Sequence, residues 1–328
     1  MYKRCFIIYA VILIVLVGQT YGQQRSSMPV ATYSIVALDE KTGQLGVAVQ
    51  SHWFSVGSIV SWVRAGVGAV ATQSFVKVDY GPEGLKLMAD GLSAEEALNQ
   101  LLAEDEGEAV RQVGMVDAHG NVSVHTGSKC IQQAGHRTGK GYTVQANLMA
   151  NSTVPDAMAV AYENAEGDLA ERLMAALEAA ENEGGDIRGR QSAAMIIATG
   201  EPTGIHWKDV LLDLRVEDHP EPLKELKRLI RIHRAYEHAN RGDLYVELDR
   251  IDEALIEYEK AADYYPENPE LPYWTAVSLA DIGRLDEALP IFKDVFERFP
   301  DLRILTPRLV RSGLLPDDPE LINLILSQ

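Results

Sequence analysis

Two neighbouring runs constrain the fold most: residues 58–63 (Ser-Ile-Val-Ser-Trp-Val) and 66–73 (Gly-Val-Gly-Ala-Val-Ala-Thr-Gln). Both have strand length, yet neither alternates cleanly between apolar and polar residues. A strand with water on one face alternates, whereas a strand apolar on both faces belongs to a sheet covered on both sides. The remaining chain must therefore supply a layer above and a layer below. The density of Gly and Ala in these runs also leaves room for close approach of another backbone or a ligand.

The order of elements says what the layers are. Residues 32–39 and 43–51 are apolar, β-branched runs joined by a short polar turn ending in Gly43, which predicts a hairpin. The two runs above follow. Gly81-Pro82 opens a first helix, with Pro where its missing N–H costs nothing. Ser93 with Glu96 forms a capping box that opens a second. Residues 111–118 and 122–126 then read as another hairpin about His119-Gly120-Asn121, and 142–149 as a further strand. A second helix pair spans 155–165 and a segment starting at the Asp168–Glu171 capping box, and it ends at Gly184-Gly185. Strands 191–198 and 210–216 close the domain. Long βαβ alternation is missing, which argues against a doubly wound parallel sheet. Helix pairs between groups of strands fit an α+β, four-layer αββα sandwich: two stacked sheets with a helix layer on each outer face.

Beyond about Pro220 the composition turns helical. Arg250-Ile-Asp-Glu-Ala-Leu255 recurs as Arg284-Leu-Asp-Glu-Ala-Leu289, Tyr258 as Phe292, and Tyr265-Pro266 as Phe299-Pro300, all at a spacing of 34 residues. A 34-residue period with Ala, an aromatic and a terminal Pro in register is the tetratricopeptide signature. Two repeats are few for an independent solenoid, so the flanking segments 223–240 and 302–326 are expected to cap the ends.

The formal charge is −18, and loss of Lys3 and Arg4 with an N-terminal segment makes it −20. Such an acidic surface repels nucleic acid and anionic lipid. Residues 1–22 have the layout of a secretory signal: a basic start at Lys3-Arg4, an apolar stretch over 6–17, and small residues at Thr20 and Gly22. Residues 23–31 form a polar leader. The predicted organisation is thus signal 1–22, leader 23–31, sandwich 32–220 and helical module 221–328, in a periplasmic or extracellular protein free of the membrane once the signal is removed. Of the two cysteines, Cys5 leaves with the signal. Cys130 is then alone, so no internal disulfide forms and the core alone stabilises the protein.

Short blocks in the first domain resemble a bacterial family designated domain of unknown function 1028. They include the Thr32 and Leu45 strands, Arg64-Ala-Gly-Val-Gly-Ala-Val-Ala-Thr-Gln73, Tyr80-Gly-Pro82, Gln145 with Asn147, Arg188-Gly-Arg-Gln-Ser192 and Asp213-Leu-Arg-Val216. The resemblance covers roughly residues 32 to 235, with the blocks in the family's order. It implies a place among the N-terminal nucleophile (Ntn) hydrolase relatives, which share the αββα sandwich, and it carries no settled activity. In Ntn hydrolases the first residue of the first strand attacks an acyl group with its own α-amine as base. An α-amine suits this because its pKa is about 7.7–8.0. By that resemblance the nucleophile is Thr32. This chain departs from the pattern, because a signal cut after Gly22 leaves nine residues ahead of Thr32. An active enzyme then needs a second cleavage, at Ala31–Thr32. The alternative is an ordinary strand threonine.

Further candidates surround it. Ser34 shares the face of Thr32. Ser51 and His52 end the second strand, Gln73 ends another, and Asn147 offers an amide. These strand ends either converge on a pocket or hold satisfied core hydrogen bonds. Arg190, Gln191 and Ser192, with Arg188, follow Gly184-Gly185 into an apolar strand. They either bind a carboxylate or oxyanion or form an ion-pair network with Asp186. The spacings of His119, His125, His136, His233 and His238 match no metal motif, and no phosphate loop follows a strand, so neither metal nor cofactor is expected. Three functions remain open: hydrolysis of an amide, peptide or related acyl bond through Thr32; a silent sandwich binding a small ligand in the same cleft; or a tetratricopeptide adaptor that docks a protein partner while the sandwich is structural.

Overall fold

The computed structural model describes Val30 and residues 32–328; the predicted signal, and the leader apart from Val30, lie outside the described residues. The chain divides into two compact units, the first ending at Leu223 and the second spanning Lys224–Gln328.

In the first unit β1 (Thr32–Leu38), β2 (Leu45–Ser51), β7 (Gly135–Gly139), β8 (Tyr142–Asn147), β9 (Ser192–Ala198) and β10 (Val210–Val216) form a six-stranded sheet in the order β10-β9-β2-β1-β8-β7. The strands β3 (Ser61–Arg64), β4 (Gly68–Ser74), β5 (Arg111–Asp117) and β6 (Val122–Thr126) form a second, in sequence order. Neighbouring strands are antiparallel in both. The sheets pack face to face, β1 on β4 and β5, and β2 on β4. Helices α1 (Tyr80–Ala89) and α2 (Ala94–Ala103) cover the outer face of the four-stranded sheet. Helices α3 (Val154–Asn164) and α4 (Leu169–Asn182) cover the outer face of the other.

The layering explains the missing alternation. In β4, Ala69 and Ala71 join the core between the sheets with Val36, Val47, Val49 and Val116. Val70, between them in sequence, packs instead under the helices with Tyr80, Leu85 and Met115. Both capping boxes form: Ser93 Oγ accepts from the Glu96 N–H at 3.3 Å, and Asp168 Oδ1 from the Glu171 N–H at 3.0 Å. The first hairpin turns at Gly43, whose φ of +70° lies in the left-handed region that glycine enters freely.

Two expectations need correction. Residues 58–63 are not one strand: Gly57–Val60 is a single helical turn and only Ser61–Arg64 is β3. The turn is pulled against β9, where the Val56 N–H donates to Ser192 Oγ at 3.1 Å. A Cβ on Gly57 would lie 2.4 Å from the Ala194 Cβ, so only glycine allows that approach. The sequence reading also lacks β7. Its Gly-His-Arg-Thr-Gly is polar because the strand sits on a sheet edge, where there is little apolar surface to bury.

The second unit is helical. After α5 (Pro222–Glu247), which begins just ahead of it, come α6 (Ile251–Tyr264), α7 (Glu270–Asp281), α8 (Leu285–Arg298) and a terminal α9 (Pro319–Leu326). Residues 34 apart occupy matching positions: Ala254 and Ala288 are buried, as are Tyr258 and Phe292. Arg250 and Arg284 sit at equivalent helix starts and pair with Glu253 and Glu287. Among the described residues no helix is long and apolar enough to cross a membrane.

A charge cluster ties α5 to α6. The buried Glu257 carboxylate accepts from Arg241 Nε at 2.9 Å and Lys260 Nζ at 2.6 Å, and lies 2.7 Å from His238 Nδ1. Burial pushes its pKa up, but the hydrogen bonds from Lys260, His238 and Arg241 outweigh burial and bring it to about 2. A carboxyl with a depressed pKa stabilises the fold fully above its unfolded value of about 4.3 and loses that contribution as pH falls toward 2. Glu257→Gln is expected to cost the helical unit about 1–3 kcal/mol at neutral pH. The difference from wild type should shrink in melts followed by circular dichroism near pH 3; a difference that persists there contradicts the assignment.

Candidate functional site

The register of the six-stranded sheet sets four polar residues in one row. Thr32 opposes Asn147 on one side and Ser51 on the other, and Ser51 in turn opposes Ser192. Side chains alternate along a strand, and Val36 and Leu38, on the same face as Thr32, lie in the core between the sheets. The row therefore faces the other sheet, and all four residues are fully buried. A matching row looks back from the four-stranded sheet, where Gln73 opposes Gln112 and Gln112 opposes Thr126.

The hydrogen bonds between the rows have determined directions. Gln73 Nε2 donates to the carbonyls of Thr32 (3.1 Å) and Gln145 (3.2 Å), which fixes its amide orientation. Its Oε1 accepts from Ser34 Oγ at 2.6 Å, and Ser34 Oγ accepts from Gln145 Nε2 at 2.6 Å. Gln112 Nε2, with two hydrogens, has three acceptors in reach: the carbonyls of Gly135 (3.2 Å) and Ala146 (2.9 Å) and Thr126 Oγ1 (2.9 Å). Its Oε1 accepts from Gln73 Nε2 at 2.8 Å and Asn147 Nδ2 at 2.9 Å. Thr126 Oγ1 also lies 2.8 Å from His136 Nδ1. Burial, then the charges of Arg137 and His125, lower the His136 pKa and favour the neutral ring. The Thr32 hydroxyl donates to the Val30 carbonyl at 2.9 Å and lies 3.2 Å from Ser51 Oγ. With Asn147 Nδ2 committed to Gln112, Asn147 Oδ1 is a buried acceptor with no partner among the described residues.

The profile of a family of unknown function, DUF1028, matches residues 32–226, starting at Thr32 itself. The chain belongs to the DUF1028 family. The crystal structure of protein SPO2555 from Silicibacter pomeroyi, also a DUF1028 protein, is similar, at 30% sequence identity and a TM-score of 0.55. That similarity covers 61% of this chain and 88% of the other. No curated protein matches the chain.

Within this DUF1028 domain the structure brings together Thr32, Ser51, Asn147, Gln73 and, one step deeper, Ser34. It separates the others. Ser192 shares the row, but its hydroxyl donates to the Trp53 carbonyl and accepts from the Val56 N–H, holding the 53–56 turn. Arg190 is bound to Glu181, which accepts from the Tyr33 hydroxyl at 2.6 Å on the opposite face of β1. Burial and then the Glu181 charge raise the Tyr33 pKa, so the phenol stays protonated. Arg188 pairs with Asp186 at 2.9 Å, and Gln191 Nε2 donates to Asp218 at 3.2 Å. Arg190 and Gln191 thus lie outside the buried row, engaged by Glu181 and Asp218. His52 donates its backbone N–H to Asp186 at 3.1 Å, while its buried Nδ1 has no partner among the described residues. Cys130 Sγ donates to the Arg111 carbonyl at 3.3 Å and burial raises its pKa, so it is no thiolate nucleophile. Among the described residues no three His, Cys, Asp or Glu side chains gather to hold a metal.

Gln112 and Gln145 are not among the residues that the sequence singles out for the site. For Gln145 the signal was available as polar residues two apart, Thr143, Gln145 and Asn147, on one face of an otherwise apolar strand; Gln112 has no such pattern around it. Gln73→Leu keeps the volume but orphans partners on both sheets, each at a cost of about 1–3 kcal/mol. Its urea midpoint should fall by the equivalent of at least about 3 kcal/mol. A surface-like change of under about 0.5 kcal/mol would contradict the network.

Proposed function

We propose that the chain is the precursor of an exported Ntn-type hydrolase of amide, peptide or related acyl bonds, with Thr32 as nucleophile. The observation that carries the reading is the place of Thr32. It opens the central strand of a two-sheet, two-helix-layer domain, it is the residue at which the family match begins, and its hydroxyl faces Ser51 and Asn147 in one buried row. After cleavage of the Ala31–Thr32 bond, the new α-amine sits on the nucleophile's own residue. It takes the hydroxyl proton as Oγ1 bonds to the substrate's acyl carbon, and it returns that proton to the amine that leaves as the C–N bond breaks. Water then cleaves the Thr32 ester, releasing the acid and restoring the hydroxyl. The unpartnered Asn147 Oδ1 supports the reading, since it offers an acceptor beside Thr32 for the ammonium or a substrate N–H.

The helical unit is the docking module in this proposal, its 34-residue repetition that of a tetratricopeptide pair. A cleft of about 180 Å³ lined by Tyr236, Asp243, Tyr258, Glu270 and Trp274 supports a protein-binding role, the second reading of the chain.

N-terminal sequencing of the exported protein tests the mechanism. The expected mature chain begins at Thr32 and turns over chromogenic acyl amides. Thr32→Ala should lose at least about 10³-fold in rate, and Thr32→Ser should stay within about 10-fold. A mature chain beginning at Gln23 sinks the nucleophile and leaves a ligand-binding domain.

A further inference from the structure

Val30 is held like a ligand. Its N–H donates to the Ser74 carbonyl at 2.7 Å and its carbonyl accepts from the Ser74 N–H at 3.1 Å, the doubly bonded pair of an antiparallel ladder. The same carbonyl accepts from the Thr32 hydroxyl at 2.9 Å. The side chain is 2% exposed and belongs to the core between the sheets, with Val49, Val56, Val60 and the half-buried Trp53 and Val76 packed in that core. Yet Val30 lies ahead of the family-matched region, which starts at Thr32. The seat belongs to the domain; its occupant belongs to the leader.

We infer that Val30 is a plug occupying the seat of the substrate, so that the leader shuts the site and the domain recognises an extended peptide with a branched aliphatic side chain at the corresponding position. The inference rests on the reading of Thr32 as the residue exposed by cleavage. Removal of the leader leaves the Ser74 N–H and the Ser74 carbonyl unmet and takes from the Thr32 hydroxyl its bond to the Val30 carbonyl, the third group an incoming chain can meet. An apolar recess opens beside them. An extended backbone meets the first two as an added strand, and its carbonyl meets the third. The recess then selects the side chain, since a valine gains its burial free energy there whereas a carboxylate must be desolvated without a partner. While the leader is attached, its tethered Val30 competes at an effective concentration that a free peptide cannot match. Because Val30 lies two residues before Thr32, the recess takes the residue preceding the one whose acyl group is attacked.

N-acetyl-Val-Ala, an acid with the sequence of residues 30–31 that resembles the product because the acyl group in the attacked position is already a free carboxylate, is the probe. Calorimetry on the chain beginning at Thr32 should show it binding about 10-fold or more tightly than N-acetyl-Gly-Ala or N-acetyl-Asp-Ala. The chain beginning at Gln23 should bind none of them. Should the shortened chain not fold, Val30→Asp in the longer chain, checked by circular dichroism, is expected to expel the plug and restore binding of N-acetyl-Val-Ala. Equal binding of the three probes, equal binding to plugged and unplugged chains, or no binding to either unplugged chain overturns the inference. Turnover of acyl amides with no preference among the probes would keep Thr32 as nucleophile and discard the plug. Selective binding without any turnover would do the reverse.

Discussion

Two apolar sheets can face each other over their whole length only if every polar group trapped between them finds a partner. Here the inter-sheet core is aliphatic through Val36, Val47, Val49 and Val116, and at one end it meets a layer of amides and hydroxyls. Gln73 and Gln112 carry that layer. Each spends its amide N–H groups on carbonyls of the opposite sheet, and each turns its oxygen toward a donor from that sheet. The side chains thus do between the sheets what a ladder does within one. They set the height of one sheet over the other and fix the rotamers beside Thr32. A low-dielectric setting makes this arrangement strong when complete and costly when broken.

A site built on such a layer is stiff from the start. Thr32, Ser51 and Asn147 sit on neighbouring strands of one sheet, and their spacing follows from backbone register, which loops do not disturb. The outer polar groups have a different task. The Asp186–Arg188 and Glu181–Arg190 pairs anchor the segment that leads into β9, and Ser192 anchors the turn after β2. The arginines before β9 are therefore held in ion pairs at the outer end of that strand, while the buried row itself is made of uncharged strand residues.

The helical unit has its own logic. Two helices of the same length, begun by Arg250 and Arg284, bury equivalent Ala and aromatic residues, as their repetition requires. The Glu257 cluster adds a charged tie between α5 and α6, where α5 also approaches closely: a Cβ on Gly242 would lie 2.4 Å from the Tyr258 ring.

The sequence by itself determined the periodic and local features: the hairpins, both capping boxes, the helix pairs, the 34-residue repetition and strands apolar on two faces. These are legible because propensity, capping and hydrophobic period act over a few residues. It also pointed to Thr32 through the family resemblance, to Ser34 through the shared strand face, and to Gln73 and Asn147 as amides near strand ends. The tertiary structure alone decided which of those residues meet. Strand register and sheet stacking set Asn147 beside Thr32 and Gln73 above it, sent Arg190 to the opposite face, recruited Gln112 and Gln145, and seated Val30 against Ser74. Those contacts join residues about 20 to 115 positions apart. No local propensity encodes such pairings; they follow only from burying both sheets at once with every polar group satisfied.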